Sequence, residues 1–198
     1  MKKRFNARMI AVVGVLTAVA VVLQYLEISI PIVPSFLKLD FSDLPALLGA
    51  FAFGPLAGVL IQLLKNLIHL AVSQSGFVGE LSNFLLGAVF VLTAGLIYQI
   101  KKTKLRALLA GILGAAAMAL VSVPVNYFLI YPLYYNVIGI PEAAVLGMYQ
   151  AILPSVDSIF ESLLIFNLPF TLVKGLISVA VSMLIYKPLS RLFKGNHQ

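Results

Sequence analysis

The sequence predicts an all-α integral membrane protein with six transmembrane helices, both termini cytoplasmic and an external loop acting as a lid. Two observations carry that prediction. Of the 198 residues, 61% are hydrophobic and 11% are charged, against roughly 45–50% apolar and about 25% charged in an ordinary soluble domain. The apolar character, a mean hydropathy of +1.04, runs along the whole chain, so neither a cleaved signal peptide nor a single anchor explains it. The second observation is the placement of the basic residues. Lys2, Lys3, Arg4 and Arg8 precede the first apolar run, Lys101, Lys102, Lys104 and Arg106 interrupt the middle, and Lys187, Arg191 and Lys194 close the chain. The positive-inside rule puts all three clusters in the cytoplasm. With zero cysteines, disulfide frameworks, thiolate metal sites and cysteine nucleophiles are excluded.

A spanning helix needs about 20 apolar residues to cross roughly 30 Å of hydrocarbon. Met9 to Leu26, Leu81 to Ile100, Leu105 to Tyr127 and Ile159 to Ile185 meet that requirement. Parity fixes the remainder. A chain that leaves the cytoplasm after Arg8 and is back at Lys101 must cross twice between Leu44 and Val72, because a single crossing there would put the lysine-rich middle outside. Gly54-Pro55 supplies the break, with proline suited to the first turn of a new helix. The helix before it has only about ten apolar residues, roughly 15 Å, so the turn must be buried within protein. The long connections, Glu27 to Asp43 and Asn136 to Asp157, then lie outside, and six of the seven acidic residues fall in or beside external segments. Residues 1–198 are read as a single transmembrane domain in the cell membrane. No internal repeat supports an inverted-repeat transporter.

Charged side chains inside hydrocarbon cost at least ~2.5–3.5 kcal/mol, so Lys65 and Lys174 need partners. Lys65 either snorkels or pairs with an acidic side chain. His69, four residues on, shares its face and is expected to be neutral and hydrogen-bonded. Lys174 closes N-L-P-F-T-L-V-K-G, where Asn167, Thr171 and Lys174 form one polar stripe beside the helix-breaking Pro169. Two readings stand for Lys174: ligand contact, or pairing with Glu161 or Asp157. Asn126, in V-P-V-N-Y-F, is an amide that must be hydrogen-bonded to another helix or to a guest. Tyr127, Tyr131, Tyr134 and Tyr135 follow it, either as an interfacial aromatic belt or as rings against which a planar heteroaromatic ligand stacks.

Ser42 or Asp43 reads as an N-cap with Pro45 just inside the helix. Asp40 and Asp43 are two carboxylates alone, too few for a cation site, and no metal is expected. The apolar run Ile28 to Pro34 is unlike a solvated loop and is expected to fold over the bundle as the lid. Ala7, Ala11, Gly14 and Ala18 give the first helix small-xxx-small spacing, for packing within the bundle or for docking a membrane partner.

Taken together, R-F-N-A-R-M-I-A, F-L-K-L-D-F-S-D-L-P-A-L-L-G-A-F-A-F-G-P, L-L-K-N-L-I-H-L, G-E-L-S-N-F and P-F-T-L-V-K-G resemble the substrate-binding S components of energy-coupling-factor transporters, most closely the riboflavin-specific ones. The resemblance covers nearly the whole chain. It implies high-affinity uptake of a vitamin from outside, with riboflavin as the transported ligand and no cofactor. The implied partners are a membrane coupling subunit, engaged at Ala7 and Ala11, two cytoplasmic ATPases and the lipid bilayer; no nucleic acid is involved. Carried onto this chain, the flavin's polar edge falls near Asn126 and the Thr171 to Lys174 pair, under the loop at Leu39 and Asp40. Asn167, Glu80 and Asn83 of G-E-L-S-N-F, and Tyr131 complete the expected substrate contacts. The riboflavin-specific pattern has an asparagine where this chain has Thr171, so a two-handed amide contact becomes one hydroxyl.

Other classes predict different features. An S component for thiamine, folate or biotin would share the architecture, although cationic thiamine sits badly beside Lys174 unless Glu80 or Glu161 dominates the pocket. A lipid enzyme needs carboxylates or histidines converging in one pocket, and a scaffold subunit needs its polar residues only for one another. No catalytic residue is expected. The P-loop pattern G-x-x-x-x-G-K-[ST] is absent, so any ATP hydrolysis belongs to partners.

Overall fold

A computed structural model describes residues 7–193, with side chains described as far as Ile185. The basic residues Lys2, Lys3, Arg4 and Lys194, and His197, lie outside the described residues, as do the side chains of Lys187 and Arg191. Helix α1, Ala7–Tyr25, buries Val13, Thr17, Ala20 and Gln24, a three-to-four-residue spacing that marks one inward face. Ala7, Ala11, Gly14 and Ala18 fall on exposed parts of the helix, and a methyl group built on Gly14 meets nothing within 4 Å. These small residues thus lie on the outer side of α1 rather than on its buried face.

The chain then departs from an all-helical plan. Ile28–Ser29 (β1) and Lys38–Leu39 (β2) form a short antiparallel ribbon, Ile28 opposite Leu39 and Ser29 opposite Lys38. The apolar run is only partly covered: Val33 is buried, whereas Ile28 and Ile32 remain exposed. Helices α2 (Asp43–Phe53) and α3 (Pro55–His69) meet at Gly54, whose φ of 109° a side chain tolerates poorly. Ser42 does not act as the expected cap. Its backbone is already α-like and its side chain makes no bond to the helix N–H groups, because Asp40 and Lys65 hold its hydroxyl.

Helix α4 spans Val78–Ile100 and α5 spans Lys104–Val125, the latter capped by Thr103 accepting from the Arg106 N–H. The sequence reading ends this helix at Tyr127. In the structure it continues through a π turn at Asn126–Ile130, a short α6 (Tyr131–Leu133) and a second π turn at Tyr134–Ile138. Asn136 is thus helical, and the segment after it holds a further helix, α7 (Glu142–Gln150). The last stretch runs from α8 (Ile159–Ser162) through a π turn at Leu163–Asn167 into α9 (Leu168–Phe193).

The prolines account for two of the π turns. Tyr131 N–H reaches the Asn126 carbonyl and Leu168 N–H reaches the Leu163 carbonyl, five residues back in each case. The next residue in each case is a proline, Pro132 or Pro169, which lacks an N–H and crowds the carbonyl four residues earlier, so the ladder widens by one residue.

Five helical stretches are long and apolar enough to cross a membrane: Ala7–Tyr25, Pro55–Val72, Val78–Ile100, Lys104–Ile138 and Ile159–Ile185; Asp43–Phe53 is apolar but shorter. α4 packs on α5, α5 on α9, and α3 against α1, α2 and α4. The closest approaches use glycine. A Cβ on Gly114 would lie 2.8 Å from the Phe90 carbonyl oxygen, so Gly114→Leu is expected to force α4 from α5 and destabilise the fold by about 1–3 kcal/mol, measured as a lowered unfolding midpoint in detergent.

Candidate ligand cavity

The polar side chains of these helices converge on one cavity of about 370 Å³, within the roughly 300–1,000 Å³ range of small-molecule sites. Eight of the nine residues expected from sequence to contact substrate line it: Asp40, Glu80, Asn83, Asn126, Tyr131, Asn167, Thr171 and Lys174. Leu39 does not; it sits in the ribbon, one residue from the lining Lys38 and Asp40. Sequence reasoning missed the apolar walls, including Phe36, Met118, Ile130 and Phe170, since apolar residues in an apolar chain carry no distinguishing signal; Tyr134, one of the candidate stacking rings, also lines the cavity. Of the tyrosines, Tyr131 is buried against the cavity while Tyr127 is 40% exposed and belongs to the outer surface.

One side of the cavity is a charge cluster. Lys65 is fully buried and pairs with Asp43 at 2.9 Å, which fulfils the ion-pair alternative for that lysine. Gln62 also donates to Asp43, at 2.8 Å. Lys174 donates to Asp40 Oδ2 at 2.8 Å and lies 3.7 Å from Asp43. The expected partners Glu161 and Asp157 are not used. They lie 13 and 17 residues away along the chain, roughly 20–25 Å of helix, and Glu161 instead accepts from the Asp157 N–H at 3.0 Å. Burial opposes the charge on Asp40, yet the ammonium groups of Lys174 and Lys65 hold its pKa below the ordinary carboxylate value. Asp40 is therefore ionised at neutral pH and keeps the ribbon segment tied to α9.

Several of the other polar groups of the lining are also partnered. Asn126 donates to the Ser122 carbonyl at 2.8 Å and accepts from Ser82 at 3.4 Å, leaving one N–H for a guest. His69 Nδ1 meets Glu80 at 3.0 Å, as expected of a hydrogen-bonded histidine, and Ser73 and Ser75 donate to the other Glu80 oxygen at 2.8 and 3.1 Å. Asn167 accepts from Tyr149 at 2.6 Å and donates to Tyr131 at 3.1 Å, while the two tyrosine hydroxyls bond to each other.

A bundle of apolar helices of membrane-spanning length around a polar cavity of small-molecule size has the form of a membrane protein that holds a solute. Residues 8–186 match the family described as "ECF transporter, substrate-specific component", and the chain belongs to that family: a multi-pass protein of the cell membrane that serves transport rather than catalysis. It is 35% identical over 190 residues, 96% of this chain and 93% of the relative, to the riboflavin transporter RibU of Staphylococcus aureus (strain TCH60). To the riboflavin transporter FmnP of Bacillus subtilis (strain 168) it is 30% identical over 184 residues, 91% of each chain. A solved structure described as the S component of a bacterial ECF transporter matches with a TM-score of 0.74 at 34% identity, covering 94% of this chain and 98% of that one.

Removing one member of a buried ion pair strands the other. Lys65→Met is expected to destabilise the protein by about 3–5 kcal/mol, and adding Asp43→Leu to recover at least half of that loss, as read from unfolding in mixed micelles.

Proposed function

We propose that this chain captures riboflavin from the outer side of the membrane as the substrate-specific subunit of an ECF transporter. The observation that carries the reading is the make-up of the cavity: aromatic faces and a few donors gathered around one space, in a family whose relatives include proteins named riboflavin transporters. Phe36, Tyr131, Tyr134 and Phe170 supply faces for a planar ring system. Asn126, Thr171 and Lys174 supply donors for its polar edge, and Asn167 adds one N–H. Glu80, already engaged by His69, Ser73 and Ser75, has one acceptor site left for a ligand hydroxyl, and Asn83 offers a further amide on the same lining.

The finer architecture belongs to the same proposal. Residues 1–198 act as one domain that crosses the bilayer six times, with α2 as a short crossing sheltered by its neighbours and both termini in the cytoplasm; the basic clusters support this orientation. The ribbon segment from Glu27 to Asp43, with Leu39 and Asp40, acts as the lid. Ala7 and Ala11 dock the membrane coupling subunit, which two cytoplasmic ATPases drive; the exposure of both residues on α1 supports the assignment.

Protein purified in mild detergent from riboflavin-fed cells is expected to be yellow and to release riboflavin identifiable by mass; a colourless sample, or a different vitamin released, refutes the ligand assignment. Asn126→Ala and Lys174→Ala are each expected to weaken binding by about 1–3 kcal/mol in titration calorimetry, and unchanged affinity in both removes them from the site. Ala11→Phe is expected to leave riboflavin binding intact and to abolish co-purification with the coupling subunit. Loss of binding instead would assign Ala11 to the bundle's own packing.

A further inference from the structure

We propose that Tyr149, on helix α7 and outside the cavity lining, is a positioning residue for ligand binding that acts through Asn167; the inference rests on the flavin reading above. Tyr149 has no exposed surface. Its hydroxyl closes a three-membered ring of hydrogen bonds with Asn167 and Tyr131. The donors can be assigned by elimination. The carbonyl oxygen of Asn167 only accepts, so Tyr149, 2.6 Å away, donates to it. The amide nitrogen only donates, so Tyr131, 3.1 Å away, accepts. The Tyr131 proton is then directed to Tyr149, and each hydroxyl gives once and receives once. Burial and the neighbouring Tyr131 push the Tyr149 pKa far above the ordinary phenol value, so the donated proton stays in place.

This ring decides what Asn167 shows to a guest. With its carbonyl engaged by Tyr149 and one N–H by Tyr131, the amide keeps a single N–H. Without the Tyr149 hydroxyl the amide loses one of its two anchors and is freer to rotate beside Thr171 and Lys174. Packing alone does not call for the hydroxyl, since phenylalanine fills almost the same space. The ring also supports the ribbon: Phe36 stands edge-on to Tyr149 and Tyr131, with ring centres 5.7 and 6.3 Å away and interplanar angles of 84°. α7 is held in place for the task by Val145, one turn before Tyr149 and also buried, and by Gln150, which donates to the Val156 carbonyl at 2.9 Å.

The test measures riboflavin binding to the full chain in detergent by flavin fluorescence quenching and stopped flow. Wild-type, Tyr149→Phe, Asn167→Leu and the double variant are compared, each checked for monodispersity. Tyr149→Phe is expected to raise Kd about five- to tenfold through faster dissociation, with association within twofold of wild type and a shifted absorption band of the bound flavin. In the Asn167→Leu background the same substitution is expected to change Kd less than twofold. Should Tyr149→Phe prove misfolded, Tyr131→Phe, which opens the ring at another donor, is paired with Asn167→Leu and must show the same dependence. An unchanged Kd in Tyr149→Phe, or an equal loss with and without Asn167, overturns the assignment while leaving the flavin reading standing. A wild-type protein that binds no riboflavin overturns the flavin reading and this inference with it.

Discussion

Two ammonium groups and two carboxylates, Lys65, Lys174, Asp40 and Asp43, share one buried cluster inside an apolar bundle. Each of these charges alone would be costly to take out of water, and their mutual attraction offsets that cost only while the geometry holds. The cluster is neutral as a set, which is the condition for burying it at all. It draws on four parts of the chain: the segment after the ribbon, α2, α3 and α9. Moving any one of them exposes an uncompensated charge, so the relative placement of these elements, and with it one wall of the cavity, follows from electrostatics as much as from apolar packing.

The other side of the cavity depends on irregular backbone. Asn126 opens one π turn and Asn167 closes another. A regular α-helix repeats every 3.6 residues, and each π turn inserts a residue that rotates everything beyond it. In hydrocarbon, freed carbonyls must find partners inside the protein. Here the π ladder supplies them, and side chains add to it, as where Asn126 donates to the Ser122 carbonyl. Both asparagines gain their place in the cavity from the same defect that proline imposes on the ladder.

Most polar groups in the cavity are already committed to protein partners, so the site is ordered before a ligand arrives and little side-chain freedom remains to be lost on binding. On the proposed reading its specificity rests on the few capacities left over, among them one N–H on Asn126, one on Asn167, a hydroxyl on Thr171 and the remaining donors of Lys174. The ammonium of Lys174 lines the cavity and also pairs with Asp40, which links the ribbon segment to that wall.

Composition and charge placement alone determined that this is a polytopic membrane protein, and the Gly54-Pro55 break located the junction of α2 and α3 to the residue, because a positive φ and a missing N–H are local properties. Most of the cavity's polar lining was legible for a related reason: Asn126, Thr171 and Lys174 are conspicuous in hydrocarbon, where a polar side chain is expensive enough to call for a partner. Partner choice was not legible. Lys174 pairs with Asp40, 134 residues away in sequence, and not with Glu161 on its own helical stretch, because helix rise separates the near neighbours while folding joins the distant ones. The ribbon, the helical run to Ile138 and the Tyr149 ring belong likewise to the tertiary structure. Each depends on which side chains meet across elements, and a one-dimensional pattern of apolar and polar residues holds no record of those meetings.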